Sequence, residues 1–101
     1  MGSKLKTLKI PSGVIDIGDH CFSCCSSLID VYIPKKIDII REGMFHCCYS
    51  LQQIVAEGFL SIIEKDAFNR CSSLQRIVVP SRFIECYNKK FPVYKDLFVT
   101  F

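Results

Sequence analysis

Seven cysteines and two histidines stand in a chain of 101 residues, and most of them fall in two clusters. The first is His20-Cys21-Phe22-Ser23-Cys24-Cys25 and the second is His46-Cys47-Cys48. Thiolate and imidazole are ligands that zinc prefers, and Cys21-x-x-Cys24 has the spacing of a chelating pair. In that reading His20, Cys21, Cys24, His46 and Cys47 hold a metal, and the protein responds to zinc or to redox state. Nucleophilic catalysis is the other chemistry a thiol offers, but it needs a base and a third group to orient the base. Neither histidine has an evident third member. The pairs Asp16 with Asp38 and Glu64 with Asp66 read as solvated carboxylates, and the glycines lie at turns without gathering into a phosphate loop. The sequence therefore predicts a protein that is not an enzyme and uses no cofactor.

What the thiols can do depends on the elements that carry them, and those elements repeat. Leu5, Leu28, Leu51, Leu74 and Leu97 are spaced by a constant 23 residues. A fixed period of this size is the mark of a solenoid. Other positions keep the same phase: Phe22, Phe45, Phe68 and Phe91; Leu8, Val31, Ile54 and Ile77; Ile10, Ile33, Ala56 and Val79; Val14, Ile37, Leu60 and Phe83. Cys25, Cys48 and Cys71 share one register, followed by Ser27, Ser50 and Ser73. This register favours a structural column of small buried side chains over a metal site. Cys24 and Cys47 stand where the third unit has Arg70, a position expected to face outward or sideways.

Period-two alternation predicts short strands at Leu8–Ile10, Val31–Ile33, Ile54–Ala56 and Ile77–Val79. Pro11, Pro34 and Pro80 end three of them, and Glu57-Gly58 takes the same turn in the third unit. A second apolar stretch, over 14–17, 37–40 and 60–63, predicts the opposite wall. Residues 18–22, 41–45 and 64–68 each predict one helical or 3₁₀ turn, with a phenylalanine at its end plugging the core. One such turn is not stable alone, so stacking on neighbouring units has to order it. After Val79 the pattern changes. Phe83, Ile84 and Tyr87 have helical spacing, Ser81 is available as an N-cap, and Pro92 would end the helix. A last strand is expected over Leu97–Phe101.

The unit Leu51–Ser73, with its ending Ala67-Phe68-Asn69-Arg70-Cys71-Ser72-Ser73, resembles the leucine-rich repeats of the BspA-like class; Leu5–Ser27 and Leu28–Ser50 match almost as well. The likeness covers roughly three quarters of the chain and fades in the fourth unit. It implies a leucine-rich-repeat solenoid, α/β to mainly β. About four right-handed coils would carry a strand sheet on one face, short 3₁₀ or helical turns opposite, and a short helix near the C-terminus. The expected organisation is a cloning scar or tail over residues 1–4 and one domain over 5–101. Its units are 5–27, 28–50, 51–73, a divergent 74–96 and a stub, 97–101. The resemblance also implies a binding module whose ligand varies. Proteins of this class are frequent in protozoan parasites and oral bacteria, often at the cell surface.

Composition narrows the partner. Half the residues are apolar, and the net charge is only +3. The lysines are scattered without the dense basic stripe that nucleic acid requires, so no nucleic-acid partner is expected. No stretch approaches the ~20 apolar residues of a membrane span, and residues 1–9 lack the apolar core of a signal peptide. An odd number of cysteines leaves at least one unpaired, and parallel Cβ vectors in a stack disfavour a disulfide. Free thiols favour an intracellular protein, with a cell-surface location the alternative if the chain is part of a longer one.

The strand face is the best binding candidate. Between inward residues the strands present Thr7 and Lys9, Asp30 and Tyr32, Gln53 and Val55, Arg76 and Val78. Stacking puts Tyr32, Val55 and Val78 in one apolar row, flanked by Asp30, Gln53 and Arg76, with Lys9 at its edge. Tyr32 is the expected anchor for a protein partner. The plainer account is a scatter of ordinary surface residues. A second function class is self-association into a homodimer, through Leu97–Phe101 or the N-terminal coil, because open solenoid ends need covering.

Overall fold

The apolar alternation produces strands, and the repeat sets their pairing. In the computed structural model, which describes residues 5–100, two parallel sheets form. The larger has five strands in the order β1 (Thr7–Lys9), β2 (Asp30–Ile33), β4 (Gln53–Ala56), β6 (Arg76–Val79) and β7 (Phe98–Thr100). The smaller pairs β3 (Ile39–Ile40) with β5 (Ile62–Ile63). The expected tail over 1–4 and Phe101, the last residue of the stub, lie outside the described residues. Parallel neighbours need a crossover between them, and each repeat unit supplies one. The register places Leu8, Val31, Ile54 and Ile77 in one line, as the period requires. Of the second wall, residues 37–40 and 60–63 contain the short strands, while 14–17 contains none: Ile15 there is 68% exposed.

Between the sheets and the turns runs a core of stacked columns. Leu28, Val31, Ile33, Ile37, Ile40, Phe45, Leu51, Ile54, Leu60 and Ile77 are buried, and among the described residues no polar or charged residue is. Removing a large apolar side chain from water contributes ~1.5–3 kcal/mol, so these columns supply most of the favourable energy. Phe22, Phe45 and Phe68 stack ring on ring, with centroids 5.7 and 5.8 Å apart and planes within 16° and 5° of parallel. The column does not continue to Phe91, as its spacing predicts. Tyr94 meets Phe68 edge-on at 5.6 Å instead, and Phe91 packs against Tyr87 at 6.2 Å.

The segments expected to form helical turns are chains of β-turns. Ser23 N–H donates to His20 O, Cys25 N–H to Phe22 O, and Leu28 N–H to Cys25 O; the next two units repeat the pattern. The cause lies in the backbone. His20, Gly43 and Asp66 have φ of 58–62°, and Cys24, Cys47 and Arg70 have φ of 62–65°. A left-handed residue at each turn ends any helix before it can propagate. The turns gain order from their neighbours: the N–H groups of His20, Phe22 and Cys24 donate to the carbonyls of Glu42, Met44 and His46. Phe45 and Cys47 donate to Ala67 and Asn69 in the same way.

Past β6 the crossover is helical. A 3₁₀ turn over Ser81–Phe83 leads into α1 (Ile84–Lys90), and a second 3₁₀ segment, Pro92–Leu97, leads into β7. Ser81 is not the expected N-cap, because it is already the first residue of the 3₁₀ turn and Pro80 takes the cap position. Pro92 stops α1 but also opens the next helical segment, where its fixed φ is suited to the first position. The register then shifts: Ile77 pairs with Phe98, 21 residues on. The helical crossover uses two residues fewer than the turn-built one, so Leu97 is not the structural equivalent of Leu74. Phe98, buried, fills the column of Ile77.

Candidate functional site

The outward faces of the strands form two rows. Lys9, Tyr32, Val55 and Val78 are direct neighbours across β1, β2, β4 and β6, and the shifted register adds Val99 of β7. Lys9 Nζ lies 5.5 Å from the centre of the Tyr32 ring, in cation–π contact. The second row is Thr7, Asp30, Gln53 and Arg76. Arg76 is fixed in it: Nε donates to Gln53 Oε1 at 3.1 Å and Nη1 to Gln75 Oε1 at 3.3 Å. The fold thus gathers every residue expected on this face, with Tyr32, Val55 and Val78 half-buried by their neighbours.

Two grooves flank Tyr32 where the strands run into their turns. One, of about 430 Å³, is lined by Tyr32, Lys35, Val55, Glu57, Pro80 and Arg82. The other, of about 360 Å³, is lined by Lys9, Ile10, Ser12, Tyr32, Pro34 and Glu57. Lys35, Glu57, Pro80 and Arg82 escape a reading confined to strand alternation. Their signal in the sequence is their place in the turn right after each strand, on the same edge as the row.

The same geometry sorts the thiols by burial. All seven are free. Cys48 is buried, and its Sγ donates to Phe22 O at 3.1 Å, while Cys71 Sγ donates to Phe45 O at 2.9 Å. Burial pushes Cys48 from the ordinary 9.0 up to about 12 and Cys71 to about 11. Cys25 is raised too, by burial first and then by the neighbouring Cys21 and Cys24. A thiol held protonated is a poor nucleophile and a poor ligand. Cys24 is exposed and Cys47 half-buried at their left-handed turn positions. The His20 ring lies against Gly43, so close that a Cβ on Gly43 would collide with its Cε1 and Nδ1. Among the described residues no three His, Cys, Asp or Glu side chains gather as a metal group.

The two ends of the stack differ. At the first unit an apolar hollow of about 440 Å³ opens among Leu8, Ile10, Val14, Ile17 and Phe22. Beyond the third unit the core is plugged by Tyr87 of α1, which is fully buried. Leu60 N–H donates to Tyr87 Oη at 2.7 Å, and the hydroxyl donates on to Gly58 O at 3.4 Å. Phe59 and Phe98 pack around its ring at 5.1 and 5.0 Å.

Comparison with known proteins agrees with this architecture. Residues 1–96 match the family model described as BspA type leucine rich repeat region (6 copies). The structure is similar to that of a leucine rich cell surface protein from Faecalibacterium prausnitzii A2-165, with 30% identity and a TM-score of 0.53. The match covers 78% of this chain but 27% of that one, so the chain spans about a quarter of that protein's length. No curated protein matches the chain. Among the described residues no helix is long and apolar enough to cross a membrane. On its repeats, its parallel sheet and the match over nearly its whole length, the chain belongs to the BspA-type leucine-rich-repeat family.

Proposed function

We propose that the chain is a non-enzymatic interaction module that binds a protein partner through the outward face of its larger sheet. One observation carries this: the register lines up Lys9, Tyr32, Val55, Val78 and Val99 in a row, with a groove on each side of Tyr32. Tyrosine with aliphatic neighbours and a charged rim has the composition of an interface centre. Asp30, Gln53 and Arg76 form the rim, and Tyr32 is the anchor. The parallel register, advancing by 23 residues up to β6, supports about four right-handed coils, since parallel crossovers are right-handed in nearly all cases. The cell-surface neighbour supports a surface setting within a longer protein, against the intracellular one that free thiols favour.

Capture from the native cell tests the face. A partner retained by the wild-type chain and lost with a folded Tyr32→Glu/Val55→Glu variant is the expected result; equal retention overturns it. The second function is end-to-end pairing of two copies, favoured by the apolar hollow at the first unit. Light scattering across a concentration series decides it, and a strict monomer at high concentration removes it.

A further inference from the structure

We infer that the ligand of the strand face is an acidic, extended peptide segment, laid across the units along the two grooves. This rests on the strand-face reading and adds the chemistry of the partner. Lys9, Lys35 and Arg82 border the grooves and are exposed, against the single carboxylate of Glu57. None of the three cations is engaged by a carboxylate: the one ion pair among the described residues joins Arg41 to Asp16, elsewhere on the surface. Lys9 rests over the Tyr32 ring, and the Arg82 guanidinium lies 4.6 Å from the centre of the Phe83 ring. Both cations are therefore held on aromatic faces with their N–H donors still available. Arginine presents a planar fork to a carboxylate, and lysine a mobile point charge.

The apolar part of the face decides between an acidic peptide and a simple polyanion. Tyr32, Val55 and Pro80 line the larger groove together with Lys35 and Arg82, so an aliphatic or aromatic side chain fits beside the cations. Strands lie ~4.8 Å apart, so the path from Lys9 on β1 to Arg82 after β6 crosses three spacings, or ~14 Å. An extended chain advances ~3.3–3.6 Å per residue, so about four to five residues cover that path. The motif is thus acidic residues on either side of one apolar residue.

Selection of a displayed random heptapeptide library on the full chain tests this. Enriched peptides should carry Asp or Glu beside an aliphatic or aromatic residue. Their binding should fall at least tenfold with Lys35→Glu/Arg82→Glu and weaken as salt is raised. Neutral or basic peptides, acidic peptides that bind this variant unchanged, or no enrichment at all overturn the proposal. So does retention on heparin without any enriched peptide, which would put a sulfated glycan in the peptide's place. Neutral peptides lost with Tyr32→Glu/Val55→Glu leave the face standing and remove only its acidic specificity; peptides indifferent to both variants remove both. Circular dichroism and thermal melting of each variant keep loss of binding apart from loss of fold.

Discussion

The N–H of Leu60 donates to the hydroxyl of Tyr87 at 2.7 Å, joining the turn after β4 to the helix that seals the core. The hydroxyl passes its own proton toward Gly58 O, so one buried oxygen serves two backbone groups of the same turn. Leu60 is itself buried, and water has no easy access to its amide.

Tyr87→Phe should keep the ring packing and leave the Leu60 amide without its acceptor. An unmet buried donor costs about 1–3 kcal/mol, whereas Tyr87→Ala, which also empties the plug, should cost about 3–5 kcal/mol. Urea denaturation of both variants measures the difference. A Tyr87→Phe loss under ~0.5 kcal/mol would mean that the hydroxyl is not the partner that matters.

The thiols should divide by burial. Cys21, Cys24 and Cys86 are exposed and should react with an aromatic disulfide reagent in the native protein at pH 8, while Cys48 should wait for unfolding. Mass spectrometry of the labelled peptides reads the order, and early labelling of Cys48 would contradict its place in the core.

The same burial fixes a pH dependence. Cys48 is raised from 9.0 to about 12 in the folded chain, so below pH 9 both states hold the proton and its contribution to stability is complete. Between 9 and about 12 the unfolded chain releases that proton and the folded chain keeps it, so stability falls as pH rises. Cys71 adds a similar decline up to about 11. Denaturation midpoints from pH 8 to 11 should drop less steeply in Cys48→Ala than in the wild type.

Gly43 answers for two constraints at once, its φ of +62° and the His20 ring lying on it. Gly43→Ala should cost about 1–2 kcal/mol from backbone conformation, with a further loss from displacing the ring. In a His20→Ala background only the backbone part should remain. Thermal or chemical denaturation of the four-member cycle isolates the coupling. A coupling of zero would show that the ring yields without resistance.

Arg41 grips Asp16 with two hydrogen bonds of 3.1 Å, yet the Asp16 side chain is 58% exposed. Solvent screens such a pair, and Asp16→Asn should cost no more than about 1 kcal/mol. Comparing its urea midpoint in low and high salt checks this; a larger loss would make the pair a principal tie between the first two units.

Much of this was legible because the repeat is both a sequence pattern and a hydrogen-bond register. Leu8, Val31, Ile54 and Ile77 share a phase in the chain and a line in the sheet. The outward row follows from the same alternation, so Tyr32, Val55 and Val78 could be placed side by side without coordinates. What escaped depends on backbone conformation. Five of the six left-handed turn positions are held by residues other than glycine, among them His20, Cys24 and Arg70, so composition gives no warning of β-turns in place of a helical turn. Leu97 keeps the period by coincidence, because helical rise through α1 and the segment after it sets where β7 arrives. Each groove beside Tyr32 needs turn residues from three units, which no single repeat displays.

The contrast between the plugged end and the hollow one gives unravelling a direction. Stacked units are held by their neighbours, so local opening is easiest where the core is least filled. Opening should therefore start at the hollow and travel toward α1, with Tyr87 as the last clasp to release. Amide exchange would record it as a gradient: Phe22, which donates to Met44 O, exchanges before Phe45, which donates to Ala67 O. Anything that settles on the hollow, whether a second copy or further repeats, would then slow exchange throughout the stack.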